Sequence, residues 1–360
     1  MQAGKRLFSS KPKIAAVDKR MQRWVPLLLA AGLSGCSSYY GQLAVGQLEL
    51  LRQREPIAAI LDNSQSDPQL RQRLALALQA RAFASHALGL PDNRSYRVYA
   101  DIQRSYVVWN VFATDEFSVA PLSHCFPIAG CVAYRGYYRE GRARGAAALL
   151  KSEGHDTLVA GVPAYSTLGW FDDPLLSSML RWDDERLAGL IFHELAHQQF
   201  YLADDTAFNE SFASFVEREG LRQWRASRSL PPPNETARKP YADLSRLVLA
   251  TRDRLAAIYA SDLSESAMRA AKRDAFMHMR QAYRQLRDGP WKGDDRFDRW
   301  MSQPLNNASL VPFGLYDKWV PAFAALFDRA GGDWQRFYAE ATALGRLPAD
   351  ERKRQLDALR

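Results

Sequence analysis

His193-Glu194-Leu195-Ala196-His197 is followed, thirteen positions after its second histidine, by Glu210 within Phe208-Asn209-Glu210-Ser211-Phe212. This spacing points to a zinc site built for hydrolysis. Side chains four apart on an α-helix share one face, with Cβ atoms about 5–6 Å apart, so both imidazoles can reach a single ion. Glu194 lies about 100° around the helix. Its carboxylate is thereby set beside an ion rather than on it, where the general base for a metal-activated water belongs. With only six histidines in 360 residues, chance produces such a motif in roughly one chain in a hundred.

Two elements must position these groups. Asp183-Asp184-Glu185 suit a helix N-terminus, and Leu187, Leu190, Ile191 and Leu195 then recur at helical spacing, which predicts a helix reaching about Tyr201. Leu202 to Asp205 makes a short turn, and Asp205 or Thr206 caps a second helix through Phe208, Phe212, Phe215 and Val216. His197 and Glu210 each stand about one turn, roughly 6 Å, from that connection, so in an antiparallel pair they share one height. Glu210 is therefore the expected third ligand. Asp204 and Asp205 read as turn and capping residues. Glu217, two turns beyond Glu210, is open between a carboxylate backing the site and a solvated charge.

The HELAH helix together with Asn209-Glu210-x-x-x-Ser214 resembles the gluzincin arrangement of two histidines on one helix and a glutamate on the next. The metzincin pattern fails, because Phe200 and Ala203 stand where its glycine and third histidine belong. More specifically, the chain resembles a bacterial family of zinc aminopeptidases. The stretches that carry the resemblance are Tyr106 to Phe112, Cys125-Phe126-Pro127-Ile128-Ala129-Gly130-Cys131, Tyr134 to Tyr138, Leu168-Gly169-Trp170-Phe171-Asp172-Asp173-Pro174, the HELAH helix and Leu305-Asn306-Asn307-Ala308. The resemblance implies a peptidase, a zinc cofactor and His193, His197 and Glu210 as its ligands. The Gly-x-Met-Glu-Asn amine-binding signature of better-known gluzincin aminopeptidases is absent, so exopeptidase and endopeptidase both stay open.

Trp24 to Gly32 is an apolar run too short to span a bilayer, and it ends in Leu33-Ser34-Gly35-Cys36. This has the form of a lipobox, predicting a signal peptide over residues 1–35, with Met1 or Met21 as start, and lipidation of Cys36. Multiple acyl chains there would anchor the chain stably to the bacterial envelope, facing the periplasm. Ser37 after the cysteine resembles sorting to the outer membrane. Residues 1 to 35 hold seven Lys or Arg and one Asp, so six of the eight net positive charges leave with them and about +2 remains, too little to argue for nucleic acid. Cys125 and Cys131 are the only other cysteines. In an oxidising compartment they are expected to close a small disulfide loop rather than bind metal.

Residues 41–63 and 67–90 read as a helical hairpin. Aromatic and β-branched runs from Tyr96 to Tyr138 read as strands, followed by a helix near 139–152 and a strand over Asp156–Val162. In gluzincins the corresponding edge strand pairs with the peptide substrate, and an open edge suits an extended backbone. Helices are expected at about 241–258, 265–287, 316–329 and 333–344, the last two walling the cleft. Tyr316 is the candidate phenol for stabilising an oxyanion opposite the metal. The expected fold is α+β and mainly helical, with a small mixed sheet beside the ligand-helix pair. Segments are expected at 36–94 (helical), 95–225 (peptidase core) and 226–360 (helical, closing the cleft). A peptide is the expected partner. The competing reading is a lipid-anchored envelope scaffold or chaperone-like protein with a structural or relict zinc site. Oligomeric state, side-chain preference and substrate length are not legible.

Overall fold

The computed structural model describes residues 39–126, 130–164, 166–231, 235–316 and 318–359, with 235–238 and 314–316 described in backbone only. The expected signal peptide and Cys36 lie outside the described residues. Residues 39–48 are helical and form a unit of their own; Glu49–Arg360 form a second.

The second unit opens with β1 (Arg54–Pro56), α1 (Ile57–Asp62), α2 (Pro68–His86), β2 (Val98–Ala100) and β3 (Val108–Thr114). A hairpin of β4 (His124–Phe126) and β5 (Gly130–Val132) leads to β6 (Arg135–Tyr137), α3 (Glu140–Ser152), β7 (Asp156–Val162) and β8 (Leu175–Leu176). Helices α4 (Asp184–Gln199), α5 (Thr206–Ser227), α6 (Glu235–Tyr259) and α7 (Glu265–Asp288) follow. The chain ends with α8 (Asp298–Met301), α9 (Asn307–Tyr316), α10 (Val320–Arg329), α11 (Trp334–Gly345) and α12 (Ala349–Ala358). Helix makes up 59% of the structure and the sheets have two or three strands, so the fold is mainly helical α+β. Among the described residues no helix is long and apolar enough to cross a membrane.

The strands fall into three small sheets rather than one. The central one is antiparallel, in the order β6-β3-β7, which leaves β7 on its edge. A mixed sheet orders β1-β2-β8, and β4-β5 stands alone. Helix α9 covers one face of the central sheet, where Ala308 and Val311 pack with Phe112 and Ala133 and against Leu158 and Ala160.

Several elements differ from the sequence reading. The expected helix over residues 41–63 is interrupted by β1, because Pro56 disfavours helical backbone at the residue before it and the extended segment finds a partner in β2. The expected helix over 316–329 starts at Val320 instead, with Pro321 in the first turn, the one place where a missing N–H costs a helix nothing. Helices α8, α9 and α12 were not expected at all.

Candidate active site

Helix α4 is started by Asp183, whose side chain accepts from the Arg186 N–H, with Asp184 and Glu185 in the first turn favouring the dipole's positive end. It runs antiparallel to α5, and two glycines let the helices close up. A Cβ on Gly189 would stand 2.8 Å from Leu221 Cδ1 and 3.2 Å from Glu217 Cγ, and one on Gly220 would stand 3.0 Å from Phe192 Cδ2. The rest of the contact is apolar. Leu187, Ile191, Phe192 and Leu195 from α4 and Phe208, Phe212 and Val216 from α5 are fully buried. Phe212 also meets Phe323 of α10 and stacks with Phe337 of α11.

The connection between the two helices is held by specific hydrogen bonds. Asp205 caps α5 by accepting from the Phe208 N–H. Asn209 closes the turn from inside, accepting from the Leu202 N–H at 2.8 Å and donating to the Leu202 carbonyl at 2.7 Å. Arg352 of α12 reaches the same cap, with its guanidinium 2.9 Å from Asp205. The unforeseen last helix therefore fixes the start of the helix that carries Glu210.

These constraints converge on His193, His197 and Glu210, which are buried and form a group able to hold a metal ion. His193 Nε2 and His197 Nε2 are 3.2 Å apart, and Glu210 Oε2 lies 3.4 Å from the first and 3.6 Å from the second. A tetrahedral zinc ion with bonds of about 2.0–2.1 Å needs donors about 3.3–3.4 Å apart. The triangle fits that ion. Among the described residues the group has three members, whereas a structural zinc normally takes four protein donors and a catalytic one keeps a position open.

Burial and charge act against each other across the group. Burial pushes the Glu210 carboxyl up, but the imidazoles of His197 and His193 outweigh it and hold it down at about 2. At His193 burial works against the charged ring, and hydrogen bonds with Glu210 and Glu217 override it, raising its pKa well above the histidine value. Glu217 Oε2 sits 3.1 Å from His193 Nδ1, so of its two readings the structure gives the carboxylate that backs the His193 ring. His197 Nδ1, by contrast, is buried without a hydrogen-bond partner among the described residues. Glu194 is buried beside the group, and burial raises its pKa against the pull of both histidines.

The other expected residues are placed as follows. Cys125 and Cys131 are joined in a disulfide across the β4-β5 hairpin. That hairpin docks on the ligand-helix connection. Cys131 N–H donates to Asp204 Oδ1 at 2.6 Å, and a Cβ on Gly130, whose φ is +68°, would stand 2.9 Å from the Asp204 N–H nitrogen. Tyr316 ends α9, and its side chain lies outside the described residues. Strand β7 is at a sheet edge, but Asn306 donates to the Thr157 carbonyl and Asn307 N–H to Asp156, so its first residues are already engaged.

One part of the site had no sequence reading. Gln198, next to His197, donates to Asp173 Oδ2 at 3.1 Å and to Ser95 Oγ at 3.2 Å, and accepts from Asn93 Nδ2 at 2.6 Å. Asp173, 2% exposed, also accepts from the Thr167 N–H, the Thr167 hydroxyl and the Ser166 hydroxyl. Burial pushes its pKa up to about 6 despite those bonds. The members come from residues 93–95, 166–173 and 198, with no common spacing. The signal available was the Asp172-Asp173-Pro174 run inside one of the resembling stretches.

Compared with known proteins, residues 38–356 match the model of a family described as "Putative aminopeptidase". Neither the curated proteins nor the solved structures contain a match.

Proposed function

The chain belongs to this aminopeptidase family, and from that premise we propose that it is a zinc-dependent peptidase, an aminopeptidase of gluzincin type. The observation that carries the reading is the buried triangle of His193 Nε2, His197 Nε2 and Glu210 Oε2, with Glu194 buried beside it. A zinc ion held there supplies a Lewis acid that brings the pKa of water toward 7 and polarises a peptide carbonyl. Glu194 accepts the proton of the attacking water and returns it to the leaving amine nitrogen. Its burial favours the protonated state it must pass through. Glu217 keeps the His193 ring in the tautomer that presents Nε2 to the ion. An extended peptide lies along the edge of β7 from Val159 to Val162, beyond the carbonyl taken by Asn306. Tyr316 is our candidate for steadying the developing oxyanion.

We place this activity at the bacterial envelope, with a signal peptide ending at Gly35 and a lipid anchor on Cys36 that leaves the catalytic unit facing the periplasm, most simply on the outer membrane. The test of the enzymatic reading uses the zinc-loaded protein, amino-terminal fluorogenic amides and a library of blocked peptides, each with and without chelator. Chelator-sensitive release is the expected result. A stoichiometrically zinc-loaded protein that cleaves neither set would leave the scaffold reading in its place.

A further inference from the structure

The turn from Thr167 to Phe171 sets two neighbouring aromatic side chains in solvent, Trp170 68% exposed and Phe171 47% exposed. Single exposed apolar side chains are ordinary; an adjacent pair on a rigid mount is not. The mount here is unusual. Leu168 and Gly169 both take the left-handed conformation, at φ of 56° and 79°, which a leucine adopts only when its surroundings impose it. Thr167 Oγ1 accepts from the Phe171 N–H at 3.1 Å and the Trp170 N–H donates to the Thr167 carbonyl, closing the turn on itself. Beneath it the buried Asp173 ties Ser166 and Thr167 to Gln198. The tip therefore cannot fold its rings inward without breaking that buried network.

The same network ties the tip to the end of helix α4 that carries His197. Gln198 follows His197 and lies one helical turn beyond Glu194, on the Glu194 side of α4. The backbone of Gly169 rests on it, with 3.7 Å between the glycine's Cβ position and Gln198 Oε1. A fixed aromatic pair mounted on Gln198, the residue after His197, is a surface for a side chain of the molecule being cut, because rings held in place bind apolar groups with little ordering to supply.

We propose that Trp170 and Phe171 form the side-chain subsite of this centre and select peptides carrying a bulky apolar residue next to the scissile bond. The inference rests on the peptide-binding part of the function proposed above.

The test compares the zinc-loaded full chain with its Trp170→Ala/Phe171→Ala variant, and uses Leu149→Ala, exposed on α3, as a control. Binding of a phenylalanine tripeptide and of its alanine analogue is read by calorimetry, in parallel with their turnover and with zinc content. The wild type and the control should bind the aromatic peptide at least tenfold more tightly than the analogue. In the double variant that preference should collapse to about twofold while one zinc per chain is kept. Where turnover is seen, the loss should fall on KM more than on kcat. No preference in the wild type, or a preference that survives the double substitution, overturns the proposal. So does a wild type that sediments with phosphatidylethanolamine–phosphatidylglycerol vesicles through these two rings while its peptide preference ignores them. A preference that depends on the rings in a zinc-loaded protein without turnover would instead overturn the hydrolytic reading and leave the subsite standing.

Discussion

Helix α4 is braced on two sides by different physics. Against α5 it is held by apolar contact, with glycines at the crossing and fully buried phenylalanines around it. Against the 166–173 segment it is held through Gln198 by a hydrogen bond to one buried carboxylate. Apolar packing is non-directional and can relax around a change, whereas a buried polar network has few acceptable arrangements and leaves costly orphans when a member is lost. The first side fixes how far apart the helices carrying His193, His197 and Glu210 stand. The second fixes how a surface turn meets the end of α4. Damage to one should appear as lost metal, and damage to the other as altered handling of substrate.

The largest effects should come from the groups between the two braces. His193→Ala should lose zinc by elemental analysis, and activity with it. Glu194→Gln should keep one zinc per chain while kcat falls by about 10²–10⁴-fold; an active variant would remove Glu194 from its role as base.

The polar brace comes next and is read through pH. The folded pKa of Asp173, about 6, lies above its ordinary 3.8, so the folded protein binds this proton more tightly than the unfolded chain does. Its contribution is fully present below pH 3.8 and is lost as pH rises through 6, on the order of 3 kcal/mol in all. Asp173→Asn removes the titration. In urea unfolding, wild type should therefore lose stability relative to Asp173→Asn between pH 4 and 7. A difference independent of pH would show that the hydrogen bonds, not burial, govern this carboxyl. Glu194 is the titratable neighbour to control for, and repeating the pair in a Glu194→Gln background does so.

On the α5 side, Glu217→Ala should weaken zinc binding by about 10–100-fold in a competition titration and leave the fold intact. Smaller still, Gly189→Ala puts a methyl 2.8 Å from Leu221 Cδ1. The expected cost is about 1 kcal/mol of stability by chemical unfolding, with activity following zinc occupancy.

The two braces also differ in how far they could be read in advance. The α5 side was legible because helical periodicity, capping residues and metal-ligand spacing are all local patterns. Asp183, Asp205, His193, His197 and Glu210 each announce their part within a few residues. Strand β7 was legible for the same reason, and its bounds match the expected ones. The polar brace was hidden because Asn93, Ser95, Asp173 and Gln198 acquire meaning only when distant segments meet. An Asp before a proline otherwise reads as a turn residue. Helix α12 escaped for another reason: only Arg352 and Leu356 of it are buried, too few to leave an apolar stripe. Yet Arg352 secures the cap at Asp205. What was missed was thus the tertiary polar contact, together with helix α9, whose Ala308, Leu310 and Val311 are buried in the apolar core.

His193, His197 and Glu210 form a triangle that could hold a metal ion. Its corners sit on long helices whose caps, crossing and connection are satisfied by the chain's own contacts. Zinc fingers, by contrast, fold only when their ion arrives, and ion affinity there doubles as folding energy. On the function proposed above, the socket is therefore expected to be finished before it is filled. Stripping the ion should leave the far-ultraviolet dichroism unchanged, and uptake should be a local event whose free energy goes into holding the cation rather than into ordering the chain.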